Sequence, residues 1–214
     1  FKLITPRTYH FYWRDIHQLE GVDFAFDEAH LADYRIQRFK FVPLVRTVEP
    51  TSYTLVTNID LGGKGPDGLI GKKIVTMPAP SLGYALLAAM YPNPIKQPDI
   101  ESIADSWHDA IEIVYAGEAD AAIMPSFWMA NRSNVTAVKT SKSFPGPSVT
   151  AAPGVPETIR DKVKEALLKI EADPDVTNLL VELGITRFVP ATVADYTGSE
   201  QMLKDFYGYR SSSN

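Results

Sequence analysis

The chain has 214 residues, of which 45% are hydrophobic and 11% aromatic, which is enough for a packed core. Its 21 Lys and Arg against 26 Asp and Glu give a formal net charge of -5 without a basic block, so a nucleic-acid surface is not favoured. The absence of cysteine excludes disulfides, thiolate metal sites and cysteine nucleophiles. No apolar run reaches the roughly 20 residues that a membrane helix needs. A small ligand is the favoured partner.

In chain order, FKLIT predicts a short strand, and PRTYHFYWRDIHQLEG predicts a helix with Pro near its start and Gly just past its end. VDFAF predicts a buried strand and DEAHLADYRIQRF a second helix. FVPLVRTV and SYTLVTN predict two β segments, and the Gly-rich residues 60–71 predict a surface loop. KKIVTMPAPSLGYALLAAM then predicts a strand, a Pro-punctuated turn and a helix.

The second half repeats this alternation. After the extended PNPIKQPDI, residues 105–123 predict a helix, a Gly break and a strand, with Asp105 or Ser106 as N-cap. AVKTS and SVTAA predict strands. A longer helix follows Pro156, with its apolar face made of Ile159, Val163, Leu167 and Ile170. Two shorter helices are predicted around residues 176–183 and 195–206.

Two stretches of the chain resemble each other. YAGEADAAI and the earlier LEGVDFAF each follow an amphipathic run, break at a Gly and pass an Asp into an apolar segment. Strands that alternate with helices predict parallel βαβ units, whose strands are covered on both faces. Two lobes, each closed by such a unit, would explain the repetition; a match of this length also arises by chance.

The segment TMPAPSLGYALL predicts an anion site. A strand ending near Met77 leads into a helix that begins around Ser81 to Gly83, and helix N-termini bind oxyanions without a charged side chain. Ser81 would add a hydroxyl donor, and Gly83 would let a ligand approach the backbone. The alternative is that Ser81 only caps its helix.

Further candidates follow other predicted strands. His108 lies in the first turn of a helix, after Ser106, where it can donate to an oxyanion or serve as a surface residue beside Asp109. Acidic side chains after the first repeat would suit an ammonium group or would only cap the next helix. The first repeat is followed by Asp27, Glu28 and His30, and the second repeat is followed by Ser126, Phe127 and Trp128. Trp128 could equally be a core residue.

Several enzyme signatures are missing from the sequence. GGKGPDG lacks the Lys-Ser/Thr end of a phosphate-binding loop, and no G-x-S-x-G or H-E-x-x-H segment occurs. The four His residues, at 10, 17, 30 and 108, do not have a metal-ligand spacing. We therefore predict no catalytic residue, no metal site and no cofactor.

Four motifs in order resemble the substrate-binding proteins of ABC importers for phosphate, phosphite and phosphonates. They are GKKIVTMPAPSLGYALL, SWHDAIEIVYAGEADAAI, FPGPSVTAAPGVPETIRDKVKEALL and LLVELGITRFVPATVADY. The resemblance implies an α/β, two-lobed fold of the type II periplasmic binding proteins. Such a fold has two small mixed sheets flanked by helices, a two-strand hinge and a ligand cleft between the lobes.

The resemblance also implies site residues. The family's phosphonate-gripping turn is similar to Pro80-Ser81-Leu82-Gly83, followed by Tyr84, although the usual turn is richer in hydroxyl groups. A His-Asp-Ala at a helix start is similar to His108-Asp109-Ala110. Glu28, His30 and Tyr9 match positions that line the cleft.

The resemblance further implies the lobe bounds. Lobe 1 would contain residues 1–56 and the return segment 150–214, and lobe 2 would contain residues 57–149. The hinge would be SYTLVTN and PSVTAA. The family opens with another strand and helix before a segment like FKLIT, so either lobe 1 is reduced or those residues are missing here.

The implied function is that of a periplasmic or extracytoplasmic solute receptor, either unanchored or lipid-anchored. It would bind a small anionic or zwitterionic ligand, such as a phosphonate, phosphite or phosphate-like oxyanion, and deliver it as a monomer to an ABC permease. Two alternatives share the fold. One is a sensory or regulatory module; the other is an enzyme resembling the thiamine-pyrimidine synthases, which carry a Cys-rich motif that this chain lacks.

Overall fold

The computed structural model describes residues 2–18, 21–132 and 134–207. The chain forms two compact units. Unit 1 comprises Phe1–Leu19 and Ser52–Lys142, and unit 2 comprises Glu20–Thr51 and Ser143–Asn214. This division differs from the predicted lobes chiefly at the N-terminus. The first helix belongs to unit 1 because Tyr9 packs against the core of that unit.

The described α-helices follow the predicted order closely. They are α1 (Tyr9–Gln18), α2 (Ala29–Phe39), α3 (Ile59–Gly62), α4 (Leu82–Met90), α5 (Trp107–Tyr115), α6 (Glu157–Leu168), α7 (Pro174–Glu182), α8 (Val193–Tyr196) and α9 (Gln201–Tyr207). Short 3-10 helices occupy Pro66–Leu69, Ser126–Asn131 and Ile170–Ala172.

The strands belong to two sheets. They are β1 (Phe24–Asp27), β2 (Val42–Thr47), β3 (Tyr53–Asn58), β4 (Lys73–Val75), β5 (Asp99–Glu101), β6 (Ala121–Pro125), β7 (Val135–Thr140), β8 (Ser148–Ala151) and β9 (Phe188–Pro190). Unit 1 contains a five-stranded sheet in the order β5-β4-β6-β3-β7, and unit 2 a four-stranded sheet in the order β1-β8-β2-β9.

The unit 1 sheet is mixed. β4 pairs in parallel with β5 and β6, whereas β3 pairs antiparallel with β6 and β7. The parallel strands are connected through α4 and α5, which confirms the βαβ prediction for the second half of this unit. Every residue of β6 is buried, as expected for a strand covered on both faces.

The unit 2 sheet corrects the prediction for the earlier repeat. β1 is paired with β8 in antiparallel orientation, and the pairings of β2 with β8 and β9 are antiparallel as well. VDFAF therefore forms an edge strand rather than the last strand of a parallel βαβ unit. Its residues alternate in burial, and Phe26 is 48% exposed. Leu19 and Glu20 of that repeat lie outside the described residues.

Other local predictions also need correction. FKLIT forms no strand in its described residues 2–5, which are exposed. The predicted loop 60–71 contains the end of α3 and a 3-10 turn, because Leu69 is fully buried and fixes that turn to the core. β5 and β9 were not predicted; each has only three residues, too few for a periodic pattern.

Candidate functional site

The carboxyl ends of β4, β5 and β6 meet at one edge of the unit 1 sheet, because these strands run parallel. Backbone hydrogen bonds join the segments that follow: the Thr76 N–H donates to Glu101 O at 3.0 Å, and the Ala104 N–H donates to Thr76 O at 3.2 Å. Open α/β sheets bind ligands outside this end of their strands. Most predicted site residues follow these strands, namely Pro80, Ser81, Leu82, Gly83, Tyr84, Ser106, His108 and Ser126.

Ser81 caps the N-terminus of α4. Its side chain is buried; Oγ donates to Met77 O at 2.9 Å and accepts from the Gly83 N–H at 3.4 Å. The Ser81 hydroxyl proton is thus already donated, and giving it to a ligand would require this bond to break. The first N–H groups of a helix have no acceptor inside it, so the backbones of Leu82 and Tyr84 supply donors at this turn.

The two helix N-termini at this edge differ electrostatically. The first turn of α4, Leu82 to Ala85, contains no acidic residue, so the positive end of its dipole is not compensated from within the turn. The first turn of α5 contains Asp109, whose Oδ2 accepts from the Asp105 N–H at 2.9 Å. The positive end of α4 is therefore less compensated than that of α5.

Gly83 lies against Thr76 at the start of α4. A Cβ at this position would overlap Thr76 Oγ1 and would lie 3.2 Å from Trp107 Cη2. Close packing against Thr76, the residue after β4, and against Trp107 explains this glycine, whereas the sequence had suggested space for a ligand. Thr76 Oγ1 is buried and has no hydrogen-bond partner in the described part of the chain.

Pro80, Leu82 and Tyr84 surround this turn with different exposures. Pro80 and Leu82 are buried, so their side chains support the turn from the interior. Tyr84 is 41% exposed and lies in the first turn of α4, where its side chain is accessible. Tyr84 therefore has the only exposed side chain among residues 80–84.

His108 is exposed at the N-terminus of α5. Ser106 is the N-cap, and its Oγ accepts from the Asp109 N–H at 3.0 Å. The His108 side chain is 61% exposed, with Nε2 3.7 Å from Glu112 Oε1 on the next turn. The same carboxylate oxygen lies 3.8 Å from Arg132 Nη1, so Glu112 neutralises charge in this part of the edge.

Arg132 was not among the residues that the sequence indicated. Its guanidinium carbon lies 5.7 Å from the ring centroid of Trp128 and 5.8 Å from that of Tyr115. Nη1 also donates to the Tyr115 hydroxyl at 3.5 Å. The sequence carried no signal for this contact, because Arg132 follows a 3-10 helix in extended conformation and residues four apart do not share a face there.

Ser126 begins the 3-10 helix after β6 and is hydrogen-bonded within unit 1. Its Oγ accepts from Ser52 Oγ at 2.8 Å and lies 2.8 Å from Thr54 Oγ1, while Thr54 Oγ1 is 3.1 Å from Thr140 Oγ1. The backbone N–H of Ser126 also donates to Ser52 O at 2.8 Å. These bonds fix the start of the segment that carries Phe127 and Trp128.

Tyr9 is the first residue of α1 and packs, partly buried, against the unit 1 core. Its ring centroid is 5.8 Å from that of Tyr12 in a tilted arrangement. The structure thus assigns Tyr9 to the same unit as Ser81 and His108, whereas the predicted bounds had placed it in the other lobe.

Asp27 ends β1 in unit 2 and is a buried ion-pair partner. Arg35 Nε donates to its Oδ2 at 2.5 Å, and both side chains are almost completely buried. Burial raises the pKa of Asp27, while the charge and hydrogen bond of Arg35 oppose that shift. The Asp27 carboxylate is thus neutralised by Arg35, which argues against its predicted role as partner of a ligand ammonium group.

Glu28 and His30 follow Asp27 at the start of α2. Glu28 is the N-cap residue but makes no side-chain capping bond. His30 is fully buried, and its Nδ1 lies 3.7 Å from Glu28 Oε2. Both residues belong to unit 2, so the structure of each unit by itself does not bring them together with Ser81 and His108.

Residues 2–18, 21–132 and 134–207 contain no group of three His, Cys, Asp or Glu side chains that could hold a metal ion. None of the helices there is both long and apolar enough to cross a bilayer.

Solved structures with related folds show low sequence identity. PhnD1 from Prochlorococcus marinus, solved in complex with methylphosphonate, matches with a TM-score of 0.78 at 14% identity. The matched region covers 96% of this chain and 86% of the PhnD1 chain. A binding protein component of an ABC phosphonate transporter from Pseudomonas aeruginosa has a TM-score of 0.71 at 14% identity, covering 89% and 71%. The aliphatic sulphonate binding protein SsuA from Escherichia coli has a TM-score of 0.61 at 13% identity, covering 92% and 78%. No curated protein sequence matches significantly.

Two α/β units, each built on its own sheet, together with these similarities define a type II periplasmic-binding-protein fold. The model of the family described as "ABC transporter, phosphonate, periplasmic substrate-binding protein" matches residues 16–196. The chain belongs to this family. The members of this family are substrate-binding proteins rather than enzymes, and they act outside the cytoplasm.

Proposed function

We propose that this protein binds a small oxyanion, a phosphonate, phosphite or phosphate-like group, and delivers it to an ABC permease. The observation that carries the proposal is the N-terminus of α4 at the carboxyl edge of the unit 1 sheet. A helix N-terminus carries roughly half a positive charge and N–H groups without internal acceptors. Family membership and the PhnD1 complex with methylphosphonate support the same ligand class.

The anion is held mainly by backbone donors in this proposal. Leu82 and Tyr84 contribute N–H groups, while buried Ser81 and Pro80 keep the turn in place. His108 and Ser106 lie after the neighbouring strand β5, where the exposed imidazole can donate a further hydrogen bond. The roles of Glu28 and His30 stay predictions that rest on the resemblance.

The wider role follows from the family. We propose that the protein acts outside the cytoplasm as a monomer, with or without a lipid anchor, and performs no chemical step. The net charge of -5 does not favour nucleic acid as a partner. A small anion held by N–H groups is also easily released, because no covalent or metal bond must break.

A matched pair of variants tests the α4 site. Leu82 is the first helical residue, where proline is well tolerated, and Ser81 before it already has the extended backbone, with ψ 152, that a following proline requires. Leu82→Pro removes the N–H and Leu82→Ala keeps it, while both lose the buried side chain. Calorimetry with phosphate, phosphite, methylphosphonate, aminoethylphosphonate and methanesulfonate compares both variants with the original protein.

The expected result is that one phosphorus oxyanion binds and that Leu82→Pro weakens it by about tenfold or more relative to Leu82→Ala, since a charge-assisted hydrogen bond is worth about 1.5–3 kcal/mol. Equal affinities in the two variants would show that this N–H does not touch the anion. No binding of any tested oxyanion would contradict the proposed function itself.

A further inference from the structure

A cluster of rings lies at the carboxyl edge of the unit 1 sheet, and two of its members, Phe127 and Trp128, have no role in the proposed oxyanion site. We call Phe127, Trp128 and His108 the aromatic cluster. Trp128 is the central ring: the Phe127 centroid is 5.9 Å away at an interplanar angle of 90°, and the His108 centroid is 6.0 Å away at 75°. Phe127 is 43% exposed and His108 is more exposed still, while Trp128 packs partly against the core.

The aromatic cluster is held rigidly in place. Arg132 lies 5.7 Å from the Trp128 centroid and is itself fixed by Glu112 and by the Tyr115 ring. The hydroxyl bonds of Ser126 fix the residue before Phe127. A rigid apolar surface loses little conformational entropy when a ligand covers it, so its burial contributes to affinity.

The aromatic cluster lies at the same edge of the sheet as the proposed anion site. The segment with Phe127 and Trp128 follows β6, which pairs in parallel with β4, and α4 follows β4. Trp107 packs against the start of α4, since its Cη2 would be 3.2 Å from a Cβ on Gly83. His108, the next residue, contacts Trp128 through its ring.

Two acidic groups at this edge have partners. Glu112 lies close to Arg132 and His108, and Asp109 accepts from the Asp105 N–H. Asp27, one of the two carboxylates predicted to suit an ammonium group, is paired with Arg35 in unit 2. The Arg132 charge beside the Trp128 ring disfavours a cationic substituent on a ligand that contacts this ring.

On the basis of the proposed function, we infer that the preferred ligand is a phosphonate with a flat apolar substituent, whose aromatic group lies against Phe127 and Trp128. Ring-on-ring contact adds to area burial, and aromatic side chains orient a planar group better than aliphatic ones do. Phenylphosphonate represents this class, and methylphosphonate and aminoethylphosphonate lack the ring.

Calorimetry of these three phosphonates tests the inference. We expect the affinity for phenylphosphonate to be at least about tenfold higher than that for methylphosphonate. Phe127→Ala should remove most of this difference, and Phe127→Leu should retain only part of it. Ile95→Ala changes a residue that is 90% exposed on the segment between α4 and β5, before the strand rather than after it, and should leave all affinities unchanged.

The outcomes separate the inference from the proposed function. Methylphosphonate or aminoethylphosphonate binding as tightly as phenylphosphonate would overturn the aromatic preference and leave the oxyanion receptor standing. A phenylphosphonate preference that survives in Phe127→Ala and in Trp128→Leu would also overturn it, because the ring would then bind elsewhere. Failure of all three phosphonates, and of phosphate and phosphite, would overturn the proposed function and the inference with it.

Discussion

Ser126 Oγ accepts a hydrogen bond from Ser52 Oγ at 2.8 Å, across 74 residues of sequence. Thr54 and Thr140 extend the link, so the hydroxyl groups join β3, the end of β6 and β7. Ser52 is the first residue of its segment of unit 1, directly after the chain leaves unit 2. The network therefore connects the segment after β6 with the first residues of the chain after it leaves unit 2.

Ser126→Ala should lower the free energy of unfolding by about 1–3 kcal/mol, because Ser52 and Thr54 lose a shared partner in a partly buried position. Urea unfolding measures this loss. Ser102→Ala, at an exposed serine, is the control and should change stability by less than about 0.5 kcal/mol. Equal, small effects of both substitutions would show that the network does not stabilise unit 1.

Gly83→Ala should destabilise the protein, although helix propensity alone would favour alanine by about 1 kcal/mol. The new Cβ would overlap Thr76 Oγ1 and approach Trp107, which we expect to cost about 1–3 kcal/mol net in chemical unfolding. Gly154→Ala is the matched control, since a Cβ there meets no atom within 4 Å among the described residues.

A double mutant shows whether Thr76 causes the clash. In a Thr76→Ala background the overlapping hydroxyl is gone, and Gly83→Ala should then cost less by more than about 0.5 kcal/mol. Additive effects would mean that Trp107 or the backbone, rather than Thr76, excludes a side chain at residue 83.

Thr76→Val should be neutral or stabilising, because it replaces a buried hydroxyl that has no partner among the described residues with a methyl group of similar size. Thr54→Val is its counterpart: it removes a hydroxyl with two partners, Ser126 and Thr140, and should cost about 1–2 kcal/mol. Thermal and urea unfolding compare the two. A larger loss for Thr76→Val than for Thr54→Val would contradict this assignment.

The sequence predicted the βαβ part of unit 1 well, because strand, helix N-cap and Gly break are local signals. Ser106 and Ser81 are N-caps at the predicted helix starts. It failed for VDFAF, since the direction of a strand depends on its partner β8, more than 100 residues away. Apolar character alone does not distinguish an edge strand from a buried parallel one.

The helix starts near Ser81 and Ser106 were predictable, and both follow strands whose carboxyl ends meet at one edge of the unit 1 sheet. That a ligand binds at this edge stays a prediction. Burial decides whether a side chain can serve a ligand, and the sequence does not show it: Ser81 and Asp27 are buried and engaged. Arg132 depends on ring contacts with Tyr115 and Trp128, which come from two different elements.

Asp27→Asn should destabilise unit 2 by about 3 kcal/mol, because the buried Arg35 charge loses its counterion. The double variant Asp27→Leu with Arg35→Met should recover most of this loss, since it leaves no buried charge unpaired. Unfolding of the single and double variants measures the coupling. If Asp27→Asn is harmless while aminoethylphosphonate binding is lost, the carboxylate serves the ammonium group of the ligand, and the ion pair is not its main role.

Asp195 gives unit 2 an acid-sensitive cap. Its Oδ2 accepts from the Thr192 N–H at 2.6 Å and from Thr192 Oγ1 at 2.8 Å, and Arg46 Nε lies 3.7 Å from Oδ1. Burial tends to raise the pKa of Asp195, but the Thr192 hydrogen bonds and the Arg46 charge outweigh it and lower the pKa below 3.8.

A carboxyl group whose pKa is lowered by folding stabilises the protein at pH values above its ordinary pKa. This stabilisation disappears as the pH falls through the folded-state pKa. Asp195→Asn should therefore cost about 1 kcal/mol near neutral pH and progressively less as the pH falls below the ordinary carboxyl value. Urea unfolding over a series of acidic pH values, with exposed Asp175→Asn as the comparison, checks this trend; a cost of Asp195→Asn that does not change with pH would show that the charge of Asp195 is not what stabilises α8.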